Sequence, residues 1–207
     1  EQLVMRTKAL HMPGKASDIC SELPEPPERA AVTTAVSQLT SLGALTTKDE
    51  SLTDLGRLLA LLPVDARLGK LIILGACFGA ADEALTVAAT LASRAPFLMP
   101  MERREEADKS RREFADGRQS DLIAALMAYE RFDNMPGQAR FDFARERFLS
   151  IKTMQGIAQL KRQLLEAMSL AGVAPPGLRA SYVESIGRRD GNGCDGVRFA
   201  LGQKDPA

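Results

Sequence analysis

The chain has 207 residues, 45% hydrophobic and 26% charged, with 27 basic and 27 acidic side chains and a pI near 6.9. That length holds one large or two small domains, and 5% aromatic content, no Trp and abundant Ala and Leu lean the expectation toward helix. Balanced charge excludes a free-standing polybasic nucleic-acid binder, and the chain has neither an unbroken apolar run of about 18 residues nor signal-peptide order, so no membrane contact is expected.

In chain order, Leu3, Val4, Ala9 and Leu10 fall among charges, and the pattern begins without a cap, as expected where more sequence precedes it. Pro13-Gly14 breaks the chain, and Ser17-Asp18 can cap a short segment to Leu23. Pro26-Pro27 suits a loop that opens a helix with Pro27 in its first turn. Ala31, Val32, Ala35, Val36, Leu39 and Leu42 recur at spacings of three and four, predicting an amphipathic helix over 28–42 that Gly43 stops. Two β-capable runs, 44–47 and 51–53, flank the polar Lys48-Asp49-Glu50. They predict a small hairpin, and a helix followed by such a hairpin is the pattern of a winged helix. Thr53 can cap a helix to Leu61. Residues 67–79 read as apolar on all sides, which predicts a helix buried at the centre of a bundle, with Leu71 and Leu74 in the core. A second apolar helix covers 84–92.

Pro96 and Pro100 make 94–100 a loop. A densely charged helix follows over 101–115, most of it facing water or a partner, and an amphipathic one over 121–132. After a break at 134–137 a helix resumes over 141–149. The clearest period is that of 153–170, where Met154, Ile157, Leu160, Leu164, Leu165 and Met168 share one face. Gly172 and Pro175-Pro176-Gly177 close it. Beyond Arg179, alternation over 182–186 and 197–201 around a glycine-rich stretch fits either a hairpin or a linker.

No catalytic constellation assembles. His11 is the single histidine, so no histidine-based metal site or triad can form. Cys20, Cys77 and Cys194 are widely spaced and odd in number, which suits reduced thiols in an intracellular protein, nuclear or cytoplasmic. Gly14-Lys15 and Gly69-Lys70 resemble the end of a phosphate-binding loop, but Ala16 and Leu71 replace the hydroxyl that would hold magnesium. The stretch from Asp190 to Gly196 begins like a calcium loop, yet Cys194 takes its fifth position and no closing Glu follows. No cofactor or metal is expected in this chain, and none of its residues is expected to be catalytic.

Three stretches resemble DEAH-box RNA helicases in that family's order. The first runs from Leu52-Thr53-Asp54-Leu55-Gly56-Arg57 through Pro63-Val64-Asp65 to Arg67-Leu68-Gly69-Lys70. The second is Arg94-Ala95-Pro96-Phe97 with Arg103-Arg104-Glu105-Glu106-Ala107-Asp108-Lys109, then Ser120-Asp121. The third is Phe148-Leu149-Ser150 with the helix through Leu165. Leu122 departs from the His that many members carry after Ser-Asp, and Ala66 from a frequent Pro. The resemblance implies the helicase-associated region: a winged-helix part over 1–62, a ratchet-like helical bundle over 63–178, and at 179–207 a glycine-rich linker or the start of a truncated oligonucleotide-binding fold. It implies an ATP-dependent parent helicase that uses ATP and magnesium on RecA-like motor domains absent here, with RNA, those domains and a protein activator as partners. By itself the chain is then expected to turn over no ATP.

Residues 94–207 carry 19 basic and 16 acidic side chains against 8 and 11 in residues 1–93, so phosphate contact is expected in the second part. Arg94, Arg103, Arg104, Ser120 and Asp121 are the RNA-contact candidates: Arg for its planar fork, Ser for a hydroxyl that bonds phosphate or base edge. The bland reading makes them a polar rim, with Arg103 and Arg104 paired to Glu106, Asp108 or other acids. A protein-binding winged-helix scaffold that touches no nucleic acid is the competing function. A DNA-binding regulator with a helical dimerisation domain is disfavoured by the acidic balance of 1–93.

Overall fold

A computed structural model describes residues 1–12 and 14–174. The hairpin or linker expected beyond Arg179, the Pro175-Pro176-Gly177 stop and Cys194 lie outside the described residues. The chain divides into two compact units, the first ending at Leu71 and the second beginning at Ile72.

The first unit contains α1 (Gln2–Ala9), α2 (Ala16–Ser21), α3 (Arg29–Leu42), α4 (Asp54–Leu61) and the start of α5 (Ala66–Cys77). Helix α1 packs on α2, α3 and α4, and α2 packs on α3. Val4, Met5, Ile19, Cys20, Val32, Leu39, Leu45 and Leu59 are buried. Helix α3 ends where the sequence places its stop: Gly43 takes φ +82°, a left-handed conformation that costs glycine little. Helix α2 starts at Ala16, so Ser17 lies inside it and caps nothing; the Glu50 carboxylate, 34 residues on, accepts from the Ala16 N–H at 2.8 Å. Pro27 likewise precedes α3, whose N-cap is Glu28.

The small β-hairpin is not formed. A single antiparallel bridge joins Leu45 to Leu52, and the Thr46 N–H donates to the Ser51 carbonyl at 2.9 Å. The physical reason lies in the polar turn. Asp49 accepts from the Thr46 hydroxyl, the Ser51 hydroxyl (2.8 Å) and the Ser51 N–H (3.2 Å), which together hold its carboxyl down at a pKa of about 2. On the other side of the bridge the Thr53 N–H donates to the Ala44 carbonyl at 3.0 Å, and the pairing ends there because the Thr53 hydroxyl caps α4, accepting from the Gly56 N–H at 3.0 Å. Side chains thus take up groups that a longer ladder would pair.

The second unit contains the rest of α5, then α6 (Ala81–Leu91), a 3₁₀ turn (Met101–Arg103), α7 (Arg104–Ala115), α8 (Asp121–Asn134), α9 (Ala139–Glu146) and α10 (Ile151–Leu170). Helix α6 lies against α8 and α10, α8 against α7 and α9, and α10 against α9. Ser120 and Ser150 cap α8 and α10, accepting from the N–H groups of Ile123 (3.4 Å) and Thr153 (3.3 Å). The buried face of α10 is Met154, Ile157, Ala158, Leu164, Leu165 and Met168, joined by one charged residue, Lys161.

Helix α5 corrects the reading of a helix buried on all sides. Ile72 and Ile73 are 0% and 8% exposed, but Leu71, Leu74 and Phe78 are 38%, 43% and 83% exposed. An apolar run cannot reveal by its own period which face is covered, because every face scores alike. The energetic expectation moves with the burial: Ile72→Ala should cost about 2–5 kcal/mol, whereas Leu74→Ala should cost less than half as much. Thermal melts of the two variants check this, and equal losses would show that Leu74 packs as tightly as Ile72.

Candidate nucleic-acid interface

The loop between α6 and α7 is stitched to the α9–α10 junction. The Leu98 N–H donates to the Phe148 carbonyl at 2.7 Å, the Ser150 N–H donates to the Pro96 carbonyl at 2.8 Å, and Phe97 bridges Leu149. Phe148 holds φ +55°, a conformation costly for an aromatic residue; the surrounding bonds fix it there. Phe97, Phe114 and Phe143 form a chain of rings with centroids 6.0 and 6.1 Å apart, anchoring α7 to loop and α9.

On this platform the candidate residues separate into two groups. Arg103 forms a forked ion pair with Glu106 (2.7 Å) and lies over the Phe148 ring, 4.7 Å from its centroid. The hydrogen bond from Arg103 holds the Glu106 carboxyl below its ordinary range, and the same bond raises the guanidinium. Arg103 therefore has the acid partner that the bland reading assigns it. Arg94 and Arg104 are exposed and pair with no described acid.

Ser120 and Asp121 face a different set of groups, lining a cavity of about 310 Å³ with Arg111, Arg112, Arg118 and Gln119. Arg94, Arg103 and Arg104 do not line it. Asp108 links the first two arginines: Arg111 lies 3.1 Å from it and the Arg112 Nε 2.9 Å. Hydrogen bonding from Arg112 first, then charge and the Arg111 bond, hold the Asp108 carboxyl below its ordinary value despite partial burial. Arg111 also reaches Asp121 at 3.4 Å. Arg111 and Arg112 lie on the densely charged helix, paired along it to Asp108. The missed signal is the break Asp116-Gly117 (φ +49° and +74°), which folds the chain back so that Arg118 joins the arginines of α7.

Gly69 and Lys70 sit inside α5, where the Lys70 ammonium donates to the Leu42 carbonyl at 2.7 Å and the Gly69 Cα abuts Leu59. They are helix-packing residues and present no phosphate loop. Among the described residues no three His, Cys, Asp or Glu side chains converge as a metal site, and no helix is long and apolar enough to cross a membrane.

Comparison with known proteins follows the same order along the chain. Residues 35–64 match the family described as helicase associated domain (HA2), winged-helix, and residues 65–125 match helicase associated domain (HA2), ratchet-like. DHX57 of Mus musculus, an ATP-dependent RNA helicase by its name, is 41% identical over 99% of the chain, which covers 15% of that protein. The DExH-box ATP-dependent RNA helicase DExH1 of Arabidopsis thaliana is 39% identical over 83% of the chain and 17% of its own length. The ATP-dependent DNA/RNA helicase DHX36 of Homo sapiens is 37% identical, again over 83% of the chain and 17% of its length. The chain thus spans about a sixth of the curated relatives it matches. With both domains present in their order and relatives drawn from one helicase group, the chain belongs to the helicase-associated (HA2) family of DEAH/DExH-box RNA helicases.

Proposed function

We propose that this chain is the helicase-associated part of an ATP-dependent RNA helicase and guides single-stranded RNA for motor domains carried elsewhere in the parent protein. The likeness to helicases over 83–99% of the chain carries this reading. Relatives named ATP-dependent supply the expectation that the parent uses ATP and magnesium. The winged-helix part over 1–62 and the ratchet-like part over 63–178 act as walls of the strand's path, together with the motor and an oligonucleotide-binding fold. Arg94 and Arg104 are the strongest candidates on the first edge, because an exposed guanidinium without an acid partner breaks no ion pair to meet a phosphate. Arg103, held over Phe148 and forked to Glu106, shapes that edge. Ser120 and Asp121 belong to the arginine-lined cavity.

The test uses the full-length helicase. Arg94→Ala with Arg104→Ala should weaken RNA binding and lower the dependence of log affinity on log salt by about one to two units, with basal ATP turnover retained. Unchanged affinity and salt dependence would remove this edge from the RNA path. A protein-binding scaffold is the second reading, favoured by the apolar surface that Leu98, Met99 and Met101 leave 50%, 43% and 96% exposed. It would gain from a helicase whose RNA affinity ignores every arginine of this chain.

A further inference from the structure

The cavity at the α7–α8 turn has a chemistry that the first edge lacks. Three guanidinium groups, Arg111, Arg112 and Arg118, line it together with Gln119, Ser120, Asp121 and the small side chains Ala115 and Ala124. Two carboxylates meet this set: Asp108, which links Arg111 and Arg112, and Asp121, which reaches Arg111. Three cations against two anions leave one positive charge in excess. Arg118 supplies it, since it pairs with no described acid. Asp108 also orients the site, because its two oxygens anchor Arg111 and Arg112 from one side of α7. At about 310 Å³ the space is at the small end of ligand pockets, about 300–1,000 Å³.

We propose that this cavity holds one internucleotide phosphate of a single RNA strand, bound by Arg118 with Arg111 and Arg112 and flanked by the Ser120 hydroxyl. The assignment rests on the RNA-guiding function proposed above and gives it a second, separate contact point. A planar guanidinium offers two parallel N–H donors to a phosphate, which an ammonium cannot reproduce. The single excess charge matches a phosphodiester, which carries one negative charge. A terminal phosphate monoester carries about −1.5 to −2 and would leave charge unmatched beside Asp121. The contact assigned to the three arginines is to the strand's backbone, and a phosphate contact positions the strand without reading its sequence.

The experiment titrates the full-length helicase with a 5′-hydroxyl oligouridylate at several salt concentrations, comparing Arg118→Gln, Arg118→Lys and the Arg94→Ala, Arg104→Ala pair. Arg118→Gln removes no described ion pair, so its melting temperature should hold and its binding can be read directly. It should weaken binding roughly three- to tenfold and lower the salt slope by about 0.7, the share of one phosphate on a single strand. Arg118→Lys should keep most of the slope and lose part of the affinity. Uridine monophosphate and inorganic phosphate serve as competitors, and neither should displace the strand beyond its effect as salt. Unchanged affinity and slope in Arg118→Gln, with the Arg94, Arg104 pair still weakened, overturns the pocket and leaves the RNA reading intact. Efficient displacement by uridine monophosphate overturns the internal phosphate in favour of a terminal one. Failure of the unsubstituted helicase to bind the strand sinks both.

Discussion

Replacing Asp82 by Ala should lower the unfolding free energy by about 3 kcal/mol, the low end of the 3–5 kcal/mol expected for orphaning a buried charge, while Lys161→Met should change it by less than about 1 kcal/mol. Lys161 is 1% exposed in the middle of the apolar face of α10, with its ammonium 2.7 Å from Asp82 of α6 and 5.3 Å from the centroid of the Tyr129 ring of α8. These three helices form the centre of the second unit, and one cation joins them. The asymmetry between partners is the point. Removing Asp82 leaves an ammonium in a place with little water, whereas Met fills similar volume and needs no partner. Asp82 itself is 20% exposed, so some water reaches the orphaned group, which sets the loss at the low end. Denaturant melts of the two single variants and of the double variant measure the coupling. If Lys161→Met cost as much as Asp82→Ala, the pair would stabilise the unit by attraction and not merely by mutual need.

How much of this was legible in the sequence varies by the kind of signal. Helices with a one-sided period were readable: α10, α8, α4 behind its cap Thr53 and α3 before its stop Gly43 all lie within a few residues of their expected bounds, whereas the caps Ser120 and Ser150 emerge only in the structure. Lys161, a charge on the face set by Ile157 and Leu164, is not among the expectations, and its partner Asp82 lies far away in the chain, beyond the reach of a local period. Long-range hydrogen bonds defeated local rules in the same way at Glu50, which caps α2 in place of Ser17. The missing hairpin had another cause: Asp49, Thr46 and Ser51 satisfy one another, and composition alone does not say whether a polar turn will end a ladder or extend it. At the candidate site, sequence order put Ser120 and Asp121 beside Arg103 and Arg104, whereas the turn at Asp116-Gly117 brings them to Arg111, Arg112 and Arg118. The length of α7 separates the two groups in space.

Two glycines in helices should answer the same substitution with opposite signs. At Gly56, in α4, an added Cβ would lie 2.0 Å from the Ala44 carbonyl oxygen and 2.9 Å from Leu52 Cδ2. That oxygen accepts from the Thr53 N–H at 3.0 Å and is part of the turn that sets Thr53 as the cap of α4, so it cannot retreat alone. Gly56→Ala should therefore cost at least about 3 kcal/mol, the upper part of the range for overpacking, even though Ala favours helix by about 0.5–1 kcal/mol. At Gly156, in α10, an added Cβ meets nothing within 4 Å and φ is not in the left-handed region. There the helical preference acts unopposed, and Gly156→Ala should stabilise by about 0.5–1 kcal/mol. Chemical denaturation of both variants against the unsubstituted chain gives the two signs in one series. A stabilised or neutral Gly56→Ala would mean that α4 can slide away from Ala44, and with it the packing assigned to the motif from Leu52 to Arg57 would have to be abandoned.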